Sequence, residues 1–538
     1  MSKTKNIIYT GAFLLICLTP LAGMAIQRGE SASSENRTLS ELPALKNEDG
    51  SFNVNILQDL GTYFEDHFAF RQELVTANAK VNSGLFGVSS EDRVIDGTDG
   101  WLYYADSLND YQGTELLSDR AVYGVARSMA ITQRNLKMQG INFLYTVAPN
   151  KNTLYPEHMP YYMSGKVSDD TNLTRLEGYL EEEKVNYLSL KEVLSETDET
   201  LYHKTDSHWT NRGASIAADA ILTEVGKEHV AFEEGEGSVR TDFTGDLEGM
   251  LFPLASEAED EYYYDRDFTY SYDAEIESTF DPVISATGTD KENSLIMYRD
   301  SFGNALLPFI AEEYGTSYFN RGEPYALTQH IAERQADTVI VERAERFMPE
   351  TAQRPPVLTG IALDPIDEEE QQIIVKAFAA AADGGADAEQ RAEMLIRAEG
   401  ANIACITGTV DASLLDIRSR IYVQVGAGNL YEAYPMAVSD EQTGEMKDNS
   451  WVLYLNPASL LEGLVVSEDA NEGMKITLTV YIGEGDSLQI AGRQDVDAAE
   501  VSGMVAEAAQ VLLAGNTAGS DGIESNIETS VPEEEIAG

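Results

Sequence analysis

The sequence predicts an α/β protein: a parallel sheet with helices on both faces, followed by a smaller β-sandwich-like domain. Between about residues 118 and 342, short apolar runs alternate with amphipathic stretches of helix length. Strands that alternate with helices pair in parallel and are covered on both sides. After about residue 355 the pattern changes. Met474, Ile476, Leu478, Val480 and Ile482 alternate with Lys475, Thr477, Thr479 and Tyr481, and Ile421, Val423 and Val425 alternate likewise. Period-two alternation marks half-buried antiparallel strands, and its repetition up to Ile490 suggests a sandwich. A chain of 538 residues is also too long for a single core.

Taken in order, residues 1–26 read as a membrane anchor or a signal peptide. Lys3 and Lys5 precede a run from Ile7 to Ile26 without a charge, about the 20 residues that span a bilayer. Gly23 and Ala25 would suit signal cleavage, but the run is long for a signal core, which favours an anchor. The lysines before it put the N-terminus inside and the bulk outside. Residues 27–52 form a polar tether, and 53–354 the α/β domain. Helices are expected at Ile56–Phe70, Arg71–Ser83, Ser118–Gln139, Leu173–Lys184, Asn211–Val225, Gly303–Glu313 and Pro324–Arg334. Strands are expected at Ile141–Val147, Val185–Leu188, a segment ending at Tyr298, and Thr338–Glu342.

An insertion at about 232–293 holds an acidic, tyrosine-rich stretch around Glu257–Asp265, with Tyr270 and Tyr272 beyond it. Two readings are open: a glycan-contacting flap, or a β-excursion packing its own aromatics, which is favoured. In the domain 355–513, Asp367–Ala382 and Ala388–Arg397 read as helices. Tyr431, Tyr434, Trp451 and Tyr454 offer either a sugar-binding face or, as favoured, core packing. Residues 514–538, rich in Gly, Ser and Glu, read as a disordered acidic tail.

At 43% apolar and 24% charged the chain is globular. Its net charge of −55 argues against nucleic acid, which needs Lys and Arg for its phosphates. Cys17 lies in the apolar run and Cys405 in an expected strand, so no internal disulfide is expected. No His-Glu-x-x-His or paired-cysteine pattern occurs, so neither a metal nor a cofactor is expected.

Two segments carry chemistry. Thr205–Thr210 (TDSHWT) holds Asp206 and His208 two residues apart, and Met297–Asn304 (MYRDSFGN) places Ser301 between an apolar strand and a helix. A serine at such a turn exposes its Oγ above a sheet, beside N–H groups able to hold an oxyanion. A histidine oriented by an aspartate is the base it needs. Ser301 is the expected nucleophile, His208 the base and Asp206 the orienting acid. The bland alternative for Asp300 or Ser301 is a helix N-cap. Asn150, at another strand end, is a candidate oxyanion donor, and Lys151 a candidate substrate-binding cation, although a solvated lysine is the commoner case. Asn150, the His208 loop and Ser301 are all expected beyond carboxyl ends of strands, where α/β sheets place their sites.

These segments resemble the SGNH-hydrolase-like domain of the DHHW-type family, which includes the alginate O-acetyltransferases. The likeness extends through Glu35-Asn36-Arg37, Asp66-His67-Phe68-Ala69-Phe70-Arg71, Asp99-Gly100-Trp101-Leu102-Tyr103, Ala148-Pro149-Asn150-Lys151 and Tyr155-Pro156-Glu157, over roughly residues 30–350. One position departs from it: Ser207 stands where the family's Asp-His-His-Trp tetrad has its first His. The resemblance implies a flavodoxin-like sheet and an extracytoplasmic O-acetyltransferase acting on a cell-surface or exported polysaccharide through an acyl-enzyme. It further implies a membrane-bound O-acyltransferase partner that supplies acetyl groups. An acetyl-esterase with the same triad and a non-catalytic glycan-binding envelope protein are the competing readings.

Overall fold

The computed structural model describes residues 50–254, 257–322, 325–363, 369–384, 390–399, 403–440, 443–461, 475–484 and 487–497, with scattered positions outside these spans. Half of residues 7–26, much of the tether and all of 514–538 lie outside the described residues. No helix among those described is long and apolar enough to cross a membrane.

The first sheet has seven strands: β1 (Asn142–Ala148), β2 (Tyr187–Ser189), β3 (Ser271–Tyr272), β4 (Val283–Thr287), β5 (Ser294–Tyr298), β6 (Thr316–Asn320) and β7 (Thr338–Ala344). Their order is β2-β1-β7-β5-β6-β4-β3. The first five in that order are parallel, whereas β4 and β3 add an antiparallel edge. Every residue of β5 and β7 is buried, and apolar residues fill Leu295–Tyr298 and Val339–Val341. Helices Asp119–Lys137 and Asn172–Glu182 cover one face. Helices Asn211–Glu224 and Gly303–Glu312 cover the other. Local chemistry starts them: Ser118 accepts from the Ala121 N–H, Thr171 and Thr174 form a capping box, and Thr210 accepts from the Gly213 N–H.

The insertion is part of this architecture. Its later residues supply β3 and β4 of the main sheet, and its earlier ones pair Gly237–Phe243 with Glu259–Tyr264. Its tyrosines are half-buried and contact one another and Phe309, as in the edge-on pairs Tyr262–Tyr264 and Tyr264–Phe309. The packing reading fits this better than a flap.

The second sheet is antiparallel: β8 (Ala392–Ala398), β9 (Ala404–Val410), β10 (Arg420–Val425), β11 (Leu430–Ser439), β12 (Met446–Leu455), β13 (Lys475–Glu484) and β14 (Ser487–Asp497), in the order β8-β9-β12-β11-β10-β13-β14. The sandwich-like core is enclosed by this one sheet, curled into a half-barrel. Its edges approach each other where Arg391 N donates to Ala491 O. Residues 388–397, expected as a helix, contribute β8 instead. Ala392, Met394 and Ile396 turn inward while Glu393, Leu395 and Arg397 stay exposed, so pairing with β9 overrides a helix-forming composition. Tyr431, Tyr434 and Trp451 are buried, so they pack the core and form no sugar-binding face. Cys405 is a buried free thiol.

The two sheets are joined through helix Asp119–Lys137, which lies on β11. Arg127 grips Glu432 with two 2.7 Å hydrogen bonds and also bonds Glu183, while Arg134 bonds Glu432 at 2.7 Å. Burial works against the Glu432 charge, yet the two guanidinium groups hold its pKa well below the carboxylate range.

Candidate active site

The site lies beyond the carboxyl ends of β1, β5 and β7. The turn after β5 is held by Asp300, whose carboxylate accepts from Phe302 N at 2.9 Å and from Ala344 N at the end of β7. The helix starts after Phe302 without a side-chain cap, so neither Asp300 nor Ser301 is its N-cap; Asp300 pins the turn, and Ser301 is left to face the His208 loop. Gly303 is required here, because a Cβ would lie 2.5 Å from the Arg299 Cβ. Arg299 is fully buried beneath the turn and bonds the carbonyls of Thr279 and Asp281.

The Tyr202–Trp209 loop is closed at its base by His203 N to His208 O and by Thr210 N to Leu201 O. Its interior is filled by Lys151, whose Nζ donates to the carbonyls of His203 (3.0 Å), Lys204 (2.9 Å) and Asp206 (2.6 Å). The ammonium lies 5.5 and 5.3 Å from the ring centres of Trp101 and Tyr103. All three of its donors are engaged, so the expectation of a substrate-binding Lys151 is corrected: the residue braces the loop. Burial lowers its pKa to about 8, against the pull of Asp206, Asp246 and Glu259. The Asp99–Gly100 turn, with both residues at positive φ, carries the chain into Trp101 and Tyr103. Thus two of the segments quoted above meet at Lys151.

On this brace, His208 Nδ1 is 2.7 Å from Asp206 Oδ1, and His208 Nε2 is 2.8 Å from Ser301 Oγ. Asp206 also accepts from His208 N and from Asp246 N, both at 2.8 Å. The structure therefore brings the three expected residues into one hydrogen-bonded line. Burial disfavours imidazolium at His208, but Asp206, with Asp246 beyond it, outweighs that and raises its pKa; Arg346 works in the opposite sense. Asp206 is buried too, yet His208 holds its pKa well below normal. Phe302 sets its ring edge-on to both His208 and Trp209, at 4.8 and 4.9 Å between centres.

Asp246, which the sequence did not single out, completes the loop. It accepts from Ser207 N at 2.9 Å and from Ser207 Oγ at 2.7 Å, and its Oδ2 is 3.8 Å from His208 Nδ1. Ser207 Oγ is itself 3.2 Å from that nitrogen. The one available signal was the preceding Gly245, where a Cβ would lie 2.1 Å from Thr205 O. Glu259 and Glu261 tie the insertion to the same loop: Glu259 accepts from Lys204 N and Thr205 N, and Glu261 from His203 and Asn211 N. Burial opposes the charge on His203, but these two carboxylates raise its pKa to about 9. Asp206, His208 and Asp246 also offer atoms close enough together for a metal ion. Their hydrogen bonds to one another and to Ser207 already account for that spacing.

Asn150 follows β1, whose Ala148 is in register with Ala344 of β7. Its backbone N–H is held by Glu345, and its side chain is 2% exposed, with neither Oδ1 nor Nδ2 hydrogen-bonded. Among the described residues nothing accepts from the Ser301 N–H either. Two donors at the ends of the strands on either side of β7 thus remain unused. Glu345 itself is pushed up to about 8 by burial and by Asp110.

Residues 94–282 match the family described as "SGNH hydrolase-like domain, acetyltransferase AlgX". Over that span, less than half of its length, the chain is similar to SGNH hydrolase-like domains. The matched span includes Asn150, Lys151, Asp206, His208 and Asp246 and ends before Ser301. Among curated relatives, "Probable alginate O-acetylase AlgJ" of Pseudomonas fluorescens is 24% identical over 42% of this chain and 53% of its own. The chain thus spans about half the length of that relative. Among solved structures, Bacillus cereus PatB1 is 15% identical, with TM-score 0.38, over 46% of this chain and 95% of its own. A DHHW family protein from Eubacterium siraeum is 18% identical, with TM-score 0.35, over 47% and 91%.

Proposed function

We propose that this chain is an O-acetyltransferase that modifies a polysaccharide on the outer side of the cytoplasmic membrane, through an acyl-enzyme on Ser301. The observation that carries the reading is the unbroken line Asp206–His208–Ser301 at a strand-to-helix turn. As Ser301 Oγ attacks the acetyl carbonyl, His208 Nε2 takes its proton, and Asp206 stays ionised opposite the imidazolium. The Ser301 N–H and the Asn150 amide would share the oxyanion. His208 then returns the proton to the departing group. In the second half a sugar hydroxyl gives its proton to His208 and attacks the acyl carbonyl, and His208 passes that proton to Ser301 Oγ as its bond to the acetyl group breaks.

The AlgX-type domain match and the alginate O-acetylase relatives favour a sugar hydroxyl over water as the acceptor. Acetyl groups would come through a membrane-bound O-acyltransferase, because acetyl-CoA is cytoplasmic, and the Ile7–Ile26 run would hold the protein beside it. With a labelled acetyl ester and no acceptor, label should stay on Ser301, and added oligosaccharide should carry it off. Release as free acetate alone would make the protein an esterase. A serine-directed phosphonate that labels native protein and His208→Ala equally, or neither, would leave a binding protein.

A further inference from the structure

We infer that Arg346 forms a subsite for a negatively charged group, a carboxylate or phosphate, carried by the sugar chain next to the hydroxyl that is acetylated. This deepens the acetyltransferase reading and rests on it.

Position is the first observation. Arg346 lies two residues past the end of β7, where the Ala344 N–H is held by Asp300 and the next residue, Glu345, holds the Asn150 N–H. It therefore stands between the strand ends that carry Ser301 and Asn150. Its guanidinium is 5.4 Å from the ring of Phe302, the ring that abuts His208, and also flanks Tyr104 and Phe347 at 5.5 and 4.9 Å.

The second observation is its lack of a counter-ion. In a chain with 92 acidic and 37 basic residues, Arg127, Arg134, Arg175, Arg212, Arg391 and Arg418 all have carboxylate partners. Among the described residues no carboxylate pairs with Arg346, and its buried Nε has no acceptor. The rings beside it hold the guanidinium plane but cannot neutralise it.

A third observation concerns His208. The Arg346 charge opposes protonation of that imidazole, although acyl transfer requires imidazolium to form. An anion seated on Arg346 relieves that conflict, and a planar guanidinium takes a carboxylate or phosphate through two parallel hydrogen bonds. The overall charge of −55 does not forbid such a ligand, since salt screens distant charges beyond about 8 Å.

The test measures binding to full-chain Ser301→Ala protein, so turnover is not needed. The probes are 1,4-linked uronic acid oligomers and the same oligomers reduced to neutral hexoses. The charged set should bind about tenfold or more tightly, with the preference weakening in salt. Arg346→Gln on the Ser301→Ala background should abolish the preference, and Arg346→Lys should keep part of it. Three results overturn the inference: no charge preference in the parent, including binding of neither probe; an unchanged preference in Arg346→Gln; or a preference that stays while Arg346→Gln slows acyl-enzyme formation from an uncharged ester, which would assign the guanidinium to the oxyanion. Failure of the acetyltransferase reading shows separately, as an unlabelled Ser301 in the chain that keeps its serine.

Discussion

Replacing Asp206 with Asn keeps the side-chain shape and removes one charge, so it separates tautomer control from loop bracing. Asp206 Oδ1 accepts from both His208 N and His208 Nδ1, and Oδ2 accepts from Asp246 N. An asparagine oxygen can keep one of these two sides. If its NH₂ faces the imidazole, Nδ1 must become the acceptor and the ring proton moves to Nε2, 2.8 Å from Ser301 Oγ. His208 then cannot take the serine proton. If the amide is reversed, its NH₂ opposes the Asp246 N–H, leaving a buried donor unpaired at about 1–3 kcal/mol. The first arrangement leaves the His208 N–H without its acceptor at a similar cost, so the fold survives in either orientation, and wherever the amide NH₂ faces the imidazole the base is lost. A fall of about 10³–10⁴ in rate follows, or roughly 4–5.5 kcal/mol at about 1.4 kcal/mol per factor of ten. Single-turnover acetylation of Ser301 from a labelled ester, beside thermal unfolding of the same protein, measures both quantities. Activity within a factor of about three, or an unfolded variant, would show that Asp206 only braces the loop.

Three further outcomes are expected. Acyl-transfer rate should rise with pH through a value above the ordinary histidine pKa of about 6.5, because Asp206 and Asp246 favour imidazolium; a limb below about 6 would contradict this. The same shift sets a stability term that is fully present below about pH 6.5 and is lost as pH climbs through the raised folded value. Asp246→Asn should move the kinetic limb downward and slow transfer by about tenfold, since it removes a carboxylate 3.8 Å from Nδ1; an unmoved limb would assign Asp246 to folding alone. Lys151→Met should destabilise the protein by about 3–5 kcal/mol in denaturant titrations, because three buried carbonyls lose a charged donor. A change under about 1 kcal/mol would refute the bracing role.

Much of the fold was legible because its signals are local. The runs at β1, β5 and β7 and the helices between them are written in hydrophobic period, and Thr210, Ser118 and Thr171 mark helix starts by their capping chemistry. Asp206, His208 and Ser301 were legible because each lies in a short segment whose residue types suit one chemistry. Residues 392–398 misled because Ala, Glu, Met, Leu and Arg favour a helix in isolation, and only the neighbouring β9 supplies the ladder that makes them a strand.

What the sequence by itself determined is therefore the order of elements and the kinds of side chain at the strand ends. Only the tertiary structure decided which of those side chains touch. Lys151 looked like a surface charge and became a buried brace because the carbonyls of a loop more than fifty residues away close around its ammonium. Asp246 carried no motif, yet the insertion returns it to within hydrogen-bond reach of Ser207, some forty residues earlier. Period and capping act over a few residues, so a sequence records them. The partners of a buried charge are fixed by how distant strands and loops converge, and that convergence is decided only when the chain folds.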